Sequence, residues 1–291
     1  MKTLVVGGSG FIGSHLVDLL IEQNHDVTVF DINKPHRLEP GFINGDVTNG
    51  EYFYDSVENI KPDVIFACSG ILGTAETFEH IQKTIDVNLK GKINILDAAR
   101  SFGASVVDIS LTNNWLNPYT ITKQADTKFC LMYAQEYGVK VSVLKALNAY
   151  GERQAWDKVR KIGPSFIINA IQNKPLIING SGNQIVDMVY AGDVAKMMLL
   201  IVQREAWGVE MDGGTGYPMT VNEVAEKIIK LSGSKSKLIH KPMRKGEPVE
   251  SITLGNPGPV KQLLGFYPEA DFDESMTQTI EWYQRYYYNN I

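Results

Sequence analysis

Short apolar, β-branched runs alternate with segments of helical periodicity through the first half of the chain. Residues 3–6 (Thr-Leu-Val-Val) read as a buried strand, and residues 11–23 carry Ile12, Leu16, Leu19 and Leu20 along one helical face. The pattern continues with strands over 26–30, 63–67, 105–110 and 140–144, and with helices over 85–102 and 119–137. Such alternation predicts an α/β fold with a doubly wound parallel sheet covered by helices on both faces. After Gly151 the segments shorten and are punctuated at Gly163-Pro164, Gly180-Ser181-Gly182, Gly213-Gly214, Gly246 and residues 255–259. We therefore expect two units, residues 1–150 and a smaller α/β lobe over 151–291, with residues 187–204 returning to the first. Helices are expected at 193–202, 221–231 and 274–288.

Composition narrows the class. The 291 residues are 44% hydrophobic and 21% charged, ordinary for a globular protein. The net charge of −5 argues against nucleic acid as a partner, because neutralising a phosphate backbone calls for a basic surface. The longest apolar run, residues 197–202, is far too short to cross a bilayer, and the opening residues lack the pattern of a signal peptide. Cytoplasmic location with no membrane partner is the expectation. Cys68 and Cys130 form no C-x-x-C pair, and the five histidines show no metal spacing, so neither a disulfide framework nor a metal site is expected.

The chemistry begins at Val5-Val6-Gly7-Gly8-Ser9-Gly10-Phe11-Ile12-Gly13, which joins a strand to a helix. Gly7 permits a tight turn, Gly10 lets the backbone approach a pyrophosphate, and Gly13 lets the helix pack closely on the strand. The helix N-terminus then offers free N–H groups to the phosphates. Asp31 closes the second strand eighteen residues beyond Gly13, where a carboxylate accepts hydrogen bonds from ribose hydroxyls and repels a 2′-phosphate. NAD is thus the expected cofactor in a Rossmann-type domain, although Lys34 and Arg37 lie near enough to leave NADP open.

Tyr119 and Lys123 sit at i and i+4 on one face of the helix after the fifth strand. A phenol near pH 10 is a poor base at neutral pH, and a lysine cation one turn away favours the phenolate. Y-x-x-x-K alone is common; its position in a dinucleotide fold gives it meaning.

Taken together these motifs resemble the extended short-chain dehydrogenases/reductases, specifically the NAD-dependent epimerase/dehydratase family that acts on nucleotide sugars. The resemblance also rests on Gly45-Asp46-Val47, Phe66-Ala67-Cys68-Ser69, Asn88 before Gly91, Pro118-Tyr119-Thr120-Ile121-Thr122-Lys123, Leu147-Asn148-Ala149-Tyr150-Gly151, Gly180-Ser181-Gly182-Asn183-Gln184, residues 187–193, Arg244-Lys245-Gly246-Glu247 and Leu264-Gly265-Phe266. It implies that Asp46 and Val47 flank the adenine and that Ala67, Cys68, Ser69, Asn88 and Ser110 border the cofactor. It further implies that Tyr119 is the base and that Lys123 holds the nicotinamide ribose. Thr112, with Ser110 the alternative, would bond the reacting sugar hydroxyl; Asn113 and Asn148 would contact substrate, and Arg244 its diphosphate. A homodimer through the helices at 88–100 and 119–137 is also implied.

Three departures from the family stand out. Only six residues separate Thr112 from Tyr119, where relatives carry a longer loop. Asn113-Asn114 occupy the place of the Asp-Glu used by 4,6-dehydratases, and carboxamides do not serve as acid and base. Val186 replaces an arginine that pairs with the diphosphate, which leaves Arg244 alone or with Arg153. The resemblance and these departures together favour a nucleotide-sugar epimerase acting at C4 through a transient keto sugar. A dehydratase or ketoreductase on a similar substrate is the alternative, and a non-catalytic NAD(P)-sensing protein the third reading.

Overall fold

The structure is a computed structural model that describes residues 1–156 and 159–289, with side chains to Tyr286. Its centre is a seven-stranded, all-parallel sheet. The strands are β1 (Lys2–Val6), β2 (Asp26–Asp31), β3 (Gly41–Asn44), β4 (Val64–Ala67), β5 (Ser105–Ser110), β6 (Val141–Ala146) and, later in the chain, β11 (Glu210–Gly213). Their spatial order is β11-β6-β5-β4-β1-β2-β3, the doubly wound order that reverses direction between β1 and β4. Val5 registers with Val29 on one side and Phe66 on the other.

The two-residue period of a strand explains why these runs are apolar throughout. Val5, Val29, Phe66 and Val107 point to one face and pack with Leu16 and Leu20 of helix α1 (Phe11–Glu22). Leu4, Val6, Phe30, Ile65 and Val106 point to the other and meet Phe53 of α2 (Gly50–Ile60) and Ile95 and Leu96 of α4 (Gly91–Phe102). Both faces are therefore dry.

Three local readings are corrected. Strand β3 and helix α2 were not anticipated: β3 is a short, half-exposed edge strand, and α2 buries only Phe53, Ser56 and Val57. The helix expected over 85–102 instead comprises α3 (Ile81–Ile85), a π turn over Asp86–Lys90 and α4. Such insertions mark functional sites, and this one carries the buried Asn88. Gly163-Pro164 is no break, because Pro164 lies in the first turn of α6 (Ile162–Ile171), where the missing N–H costs nothing.

The second unit contains β7 (Asn148–Tyr150), α6, β8 (Leu176–Asn179), β9 (Ile185–Val186), β10 (Met188–Tyr190), β12 (Met219–Thr220), α8 (Val221–Leu231), β13 (Leu238–Lys241) and α10 (Phe272–Asn289). Their apolar faces meet in one core that includes Tyr150, Phe166, Ile228, Met276 and Tyr283. In α10 Trp282 stacks on Tyr286; the side chains of Tyr287 and Tyr288 lie outside the described residues. More of the chain returns to the sheet than the segment 187–204. Helix α7 (Ala191–Gln203) packs on it, β11 adds the seventh strand beside β6, and α9 (Gly258–Leu264) and Phe266 join the same core. No described helix is long and apolar enough to cross a membrane.

Candidate active site

The long helix α5 (Pro118–Tyr137) follows β5, and its Lys123 is near enough to Cys68, just beyond the carboxyl end of β4, for its charge to act on that thiol. The glycine turn divides its labour. Gly7 has φ +80°, and a Cβ there would lie 2.5 Å from the Ser69 backbone nitrogen. A Cβ at Gly13 would lie 2.2 Å from the Gly7 carbonyl oxygen. Gly10 has open space around it apart from that same oxygen at 3.2 Å. The opening faces a cavity of about 330 Å³ at the point where the strand order reverses. Gly7, Gly10, Asp31, Asp46, Val47, Cys68 and Ser69 line it. So do Ser9, Ile32, Asn33, Gly70, Ile71, Lys83 and Val87, which the sequence did not single out. Phe11, Ile12, Gly13 and Ala67 do not line the cavity; Phe11 meets His15 edge-on, Ile12 and Ala67 pack in the core, and Gly13 supports the turn.

The Asp31 carboxylate is held at the rim by the backbone N–H groups of Ser9, at 3.0 Å, and Asn33, at 2.9 Å. Asp46 accepts from both the N–H and the hydroxyl of Thr48. The Arg37 guanidinium binds Asp18 and Glu39, and neither Arg37 nor Lys34 lines the cavity. Neither Arg37 nor Lys34 is therefore placed to receive a 2′-phosphate, whereas Asp31 suits a free ribose. Burial pushes the Cys68 thiol up to about 12, so it is an inert wall of the cavity.

Asn88 does not line the cavity but shapes it. Its side chain bonds both the N–H and the carbonyl of Ile71 and also reaches the Thr122 hydroxyl, clamping a cavity loop to α5. Asn117 caps α5 by accepting from the Thr120 N–H, and Pro118 occupies its first turn. Tyr119 and Lys123 follow on one face. Burial raises the Tyr119 hydroxyl above its usual range while the Lys123 charge opposes that shift. The Lys123 ammonium is paired with Asp126 in the same helix and lies 3.9 Å from Asp108. Burial pulls it down, but the two carboxylates outweigh burial and hold it protonated.

The short loop ahead of α5 is pinned. Gln124 donates to the Asn113 carbonyl and the Asn114 side chain, and Thr253 donates to the Asn113 side chain. Asn113 thus helps anchor the loop through its two oxygens. The Ser110 hydroxyl donates to the Lys123 carbonyl and accepts from Thr127, a buried strut between β5 and α5. The Ser110 hydroxyl is thus committed within the protein, while that of Thr112 is not. The Thr112 hydroxyl has no partner among the described residues.

On the substrate side, Asn148 has a buried side-chain oxygen with no hydrogen bond. Arg244 binds Glu247 and the Arg160 carbonyl, and its charge reaches Lys161. Lys161 was not anticipated, yet its ammonium lies 5.4 Å above the centre of the Tyr119 ring. Burial and the nearby Arg244 lower it to about 8. Arg153 is corrected: its guanidinium binds the Ser14 hydroxyl and the Asp18 carboxylate, each at 2.8 Å, and ties the second unit to α1. It is committed there rather than beside Arg244.

A parallel α/β sheet with a glycine turn, an acid closing the second strand and a Tyr/Lys pair defines a nicotinamide-dependent enzyme of the short-chain dehydrogenase type. The model of the NAD dependent epimerase/dehydratase family matches residues 3–211, and the chain belongs to that family. It is 32% identical over 306 residues to a Methanocaldococcus jannaschii protein provisionally named UDP-glucose 4-epimerase, a match covering 96% of this chain and 97% of that one. It is also 27% identical to a UDP-N-acetyl-alpha-D-glucosaminuronate decarboxylase of Bacillus cytotoxicus, over 97% of this chain and 98% of that one. Among solved structures, UDP-glucose 4-epimerase of Thermotoga maritima with UDP-glucose superposes with a TM-score of 0.92, at 25% identity, over 99% of this chain and 100% of that one.

Proposed function

We propose that this protein is an NAD-dependent nucleotide-sugar 4-epimerase that works through a transient 4-keto sugar. The observation that carries the reading is the Tyr119–Lys123 pair one turn apart, with the Lys123 charge acting on Cys68 in the wall of the cavity that Gly7, Gly10 and Asp31 line. The cavity suits NAD: Gly10 leaves room for a pyrophosphate, and Asp31 stands at the rim while Arg37 is held away by Asp18 and Glu39. When bound, NAD supplies reversible acceptance of the hydrogen on the carbinol carbon. Tyr119 takes the hydroxyl proton and gives it back, with Lys123 favouring the phenolate. The free Thr112 hydroxyl bonds the reacting oxygen, and the orphan Asn148 oxygen accepts from the sugar. Arg244 and Lys161 face the diphosphate. With Asn113-Asn114 supplying no carboxylic acid, water elimination has no proton donor in this loop.

The exposed apolar residues Ile81 and Ile85 on α3 and Ile121 and Phe129 on α5 support a homodimer through these helices. The unpaired thiols Cys68 and Cys130 suit a reducing cytoplasm. The test is incubation with UDP-, dTDP-, GDP- and CDP-sugars without added cofactor. An isomeric product of unchanged mass is expected, and loss of water or carbon dioxide overturns the reading.

A further inference from the structure

Behind Tyr119 four charged side chains are sealed from water. Lys92 on α4, Asp108 on β5, and Lys123 and Asp126 on α5 have side-chain exposures of 3%, 0%, 7% and 0%. They form a square of alternating charge. Lys92 pairs with Asp108 and lies 3.8 Å from Asp126, while Lys123 pairs with Asp126 and lies 3.9 Å from Asp108. One Asp108 oxygen has no hydrogen bond. The remaining titratable neighbours of the square are the protonated thiols of Cys68 and Cys130 and the Tyr119 phenol, and Lys161 faces the phenol ring from the other side. Structural pairing of Lys123 alone would need one carboxylate. The second carboxylate and the second lysine add nothing to that pairing, and buried charges are costly to keep.

We propose that Lys92, Asp108 and Asp126 are positioning residues that set how readily Tyr119 ionises, by fixing the net charge around Lys123 at zero. This rests on reading Tyr119 as the base. Because the square lies in a low-dielectric interior, deleting any one charge is felt at the phenol with a sign set by the charge removed. Asp126→Asn leaves a net positive charge and makes the phenolate easier to form. Lys92→Met leaves a net negative charge and makes it harder.

The experiment is an ultraviolet difference titration of tyrosinate in purified protein, each variant read against the same variant carrying Tyr119→Phe, with NAD content held equal. Asp126→Asn is expected to move the Tyr119 midpoint down by about one pH unit, and Lys92→Met to move it up by about as much. Should Asp126→Asn not fold, the isosteric Asp108→Asn carries the same downward prediction. Shifts of the same sign for the lysine and the aspartate variants, or no shift in folded protein, overturn the proposal, since a merely structural square moves thermal stability without moving the midpoint in opposite directions. The titration is read without turnover, whereas retained turnover in Tyr119→Phe would refute the base reading itself.

Discussion

Glycines 10 and 13 lie in one motif, yet the structure assigns them different physical tasks, and alanine substitution separates the tasks. In Gly13→Ala the new methyl carbon would sit 2.2 Å from the Gly7 carbonyl oxygen and 2.9 Å from both the Gly7 carbonyl carbon and the Gly8 Cα. All three are backbone atoms and cannot swing aside. Helix α1 must lift away from β1, loosening Leu16, Val17 and Leu20, which are fully buried. Overpacking of this kind costs about 3 kcal/mol, and in a chain of this size that lowers Tm by roughly 6–12 °C. Gly10 has φ −79°, acceptable to alanine, and its methyl carbon meets only the Gly7 oxygen, at 3.2 Å. The cost is about 1 kcal/mol, mostly from a poorer N-cap. That methyl group fills the opening toward the cavity, so NAD affinity falls by at least about tenfold, or ~1.4 kcal/mol. Differential scanning calorimetry and titration calorimetry with NAD read the two effects. Gly10→Ala binding NAD as well as the parent, or Gly13→Ala melting with it, refutes the division.

Further outcomes follow from the same geometry. Tyr119→Phe lowers kcat by roughly 10²–10⁴-fold, and it leaves NAD affinity and Tm unchanged, as kinetics and calorimetry will check. Arg153→Ala removes hydrogen bonds to Ser14 and Asp18 that are about three-quarters buried; it costs about 1–2 kcal/mol of stability, with KM for the nucleotide sugar unchanged. Lys161 is lowered to about 8 by burial and Arg244, so its ammonium is present below that pH and lost above it. KM for the nucleotide sugar therefore rises as pH passes 8 and stays flat in Lys161→Met. The same lowering means that folding carries a penalty for charging Lys161 below pH 8, which fades as pH climbs toward the ordinary lysine range.

What was legible in the chain was local. The glycine turn, Asp31 and the Tyr119/Lys123 pair each declare themselves through spacing, because strand–turn–helix geometry places them with no help from distant residues. The alternating apolar runs revealed a doubly wound sheet for the same reason. What escaped depended on partners far along the chain. Arg153 looks available for a diphosphate until Ser14 and Asp18 are seen to take its guanidinium. Ser110 looks like a site hydroxyl until Thr127 and the Lys123 carbonyl claim it. Lys161 follows a stretch without periodicity, and nothing local brings it above Tyr119. Lys92 and Asp126 resemble surface charges on amphipathic helices. A signal did exist: Asp108 interrupts the apolar strand Val106-Val107-Asp108-Ile109 of a sheet covered on both faces, where an acid demands a buried counter-charge.

The central claim is that Tyr119 serves reversible oxidation at carbon 4, with the hydrogen removed and returned at the same carbon. UDP-glucose and UDP-N-acetylglucosamine carrying deuterium at carbon 4, converted in ordinary water and followed by NMR, test it most directly. The account predicts a 4-epimer that keeps its deuterium, with turnover in Tyr119→Phe lowered by roughly 10²–10⁴-fold. A product that exchanges the label with water, or one inverted at another carbon, contradicts it.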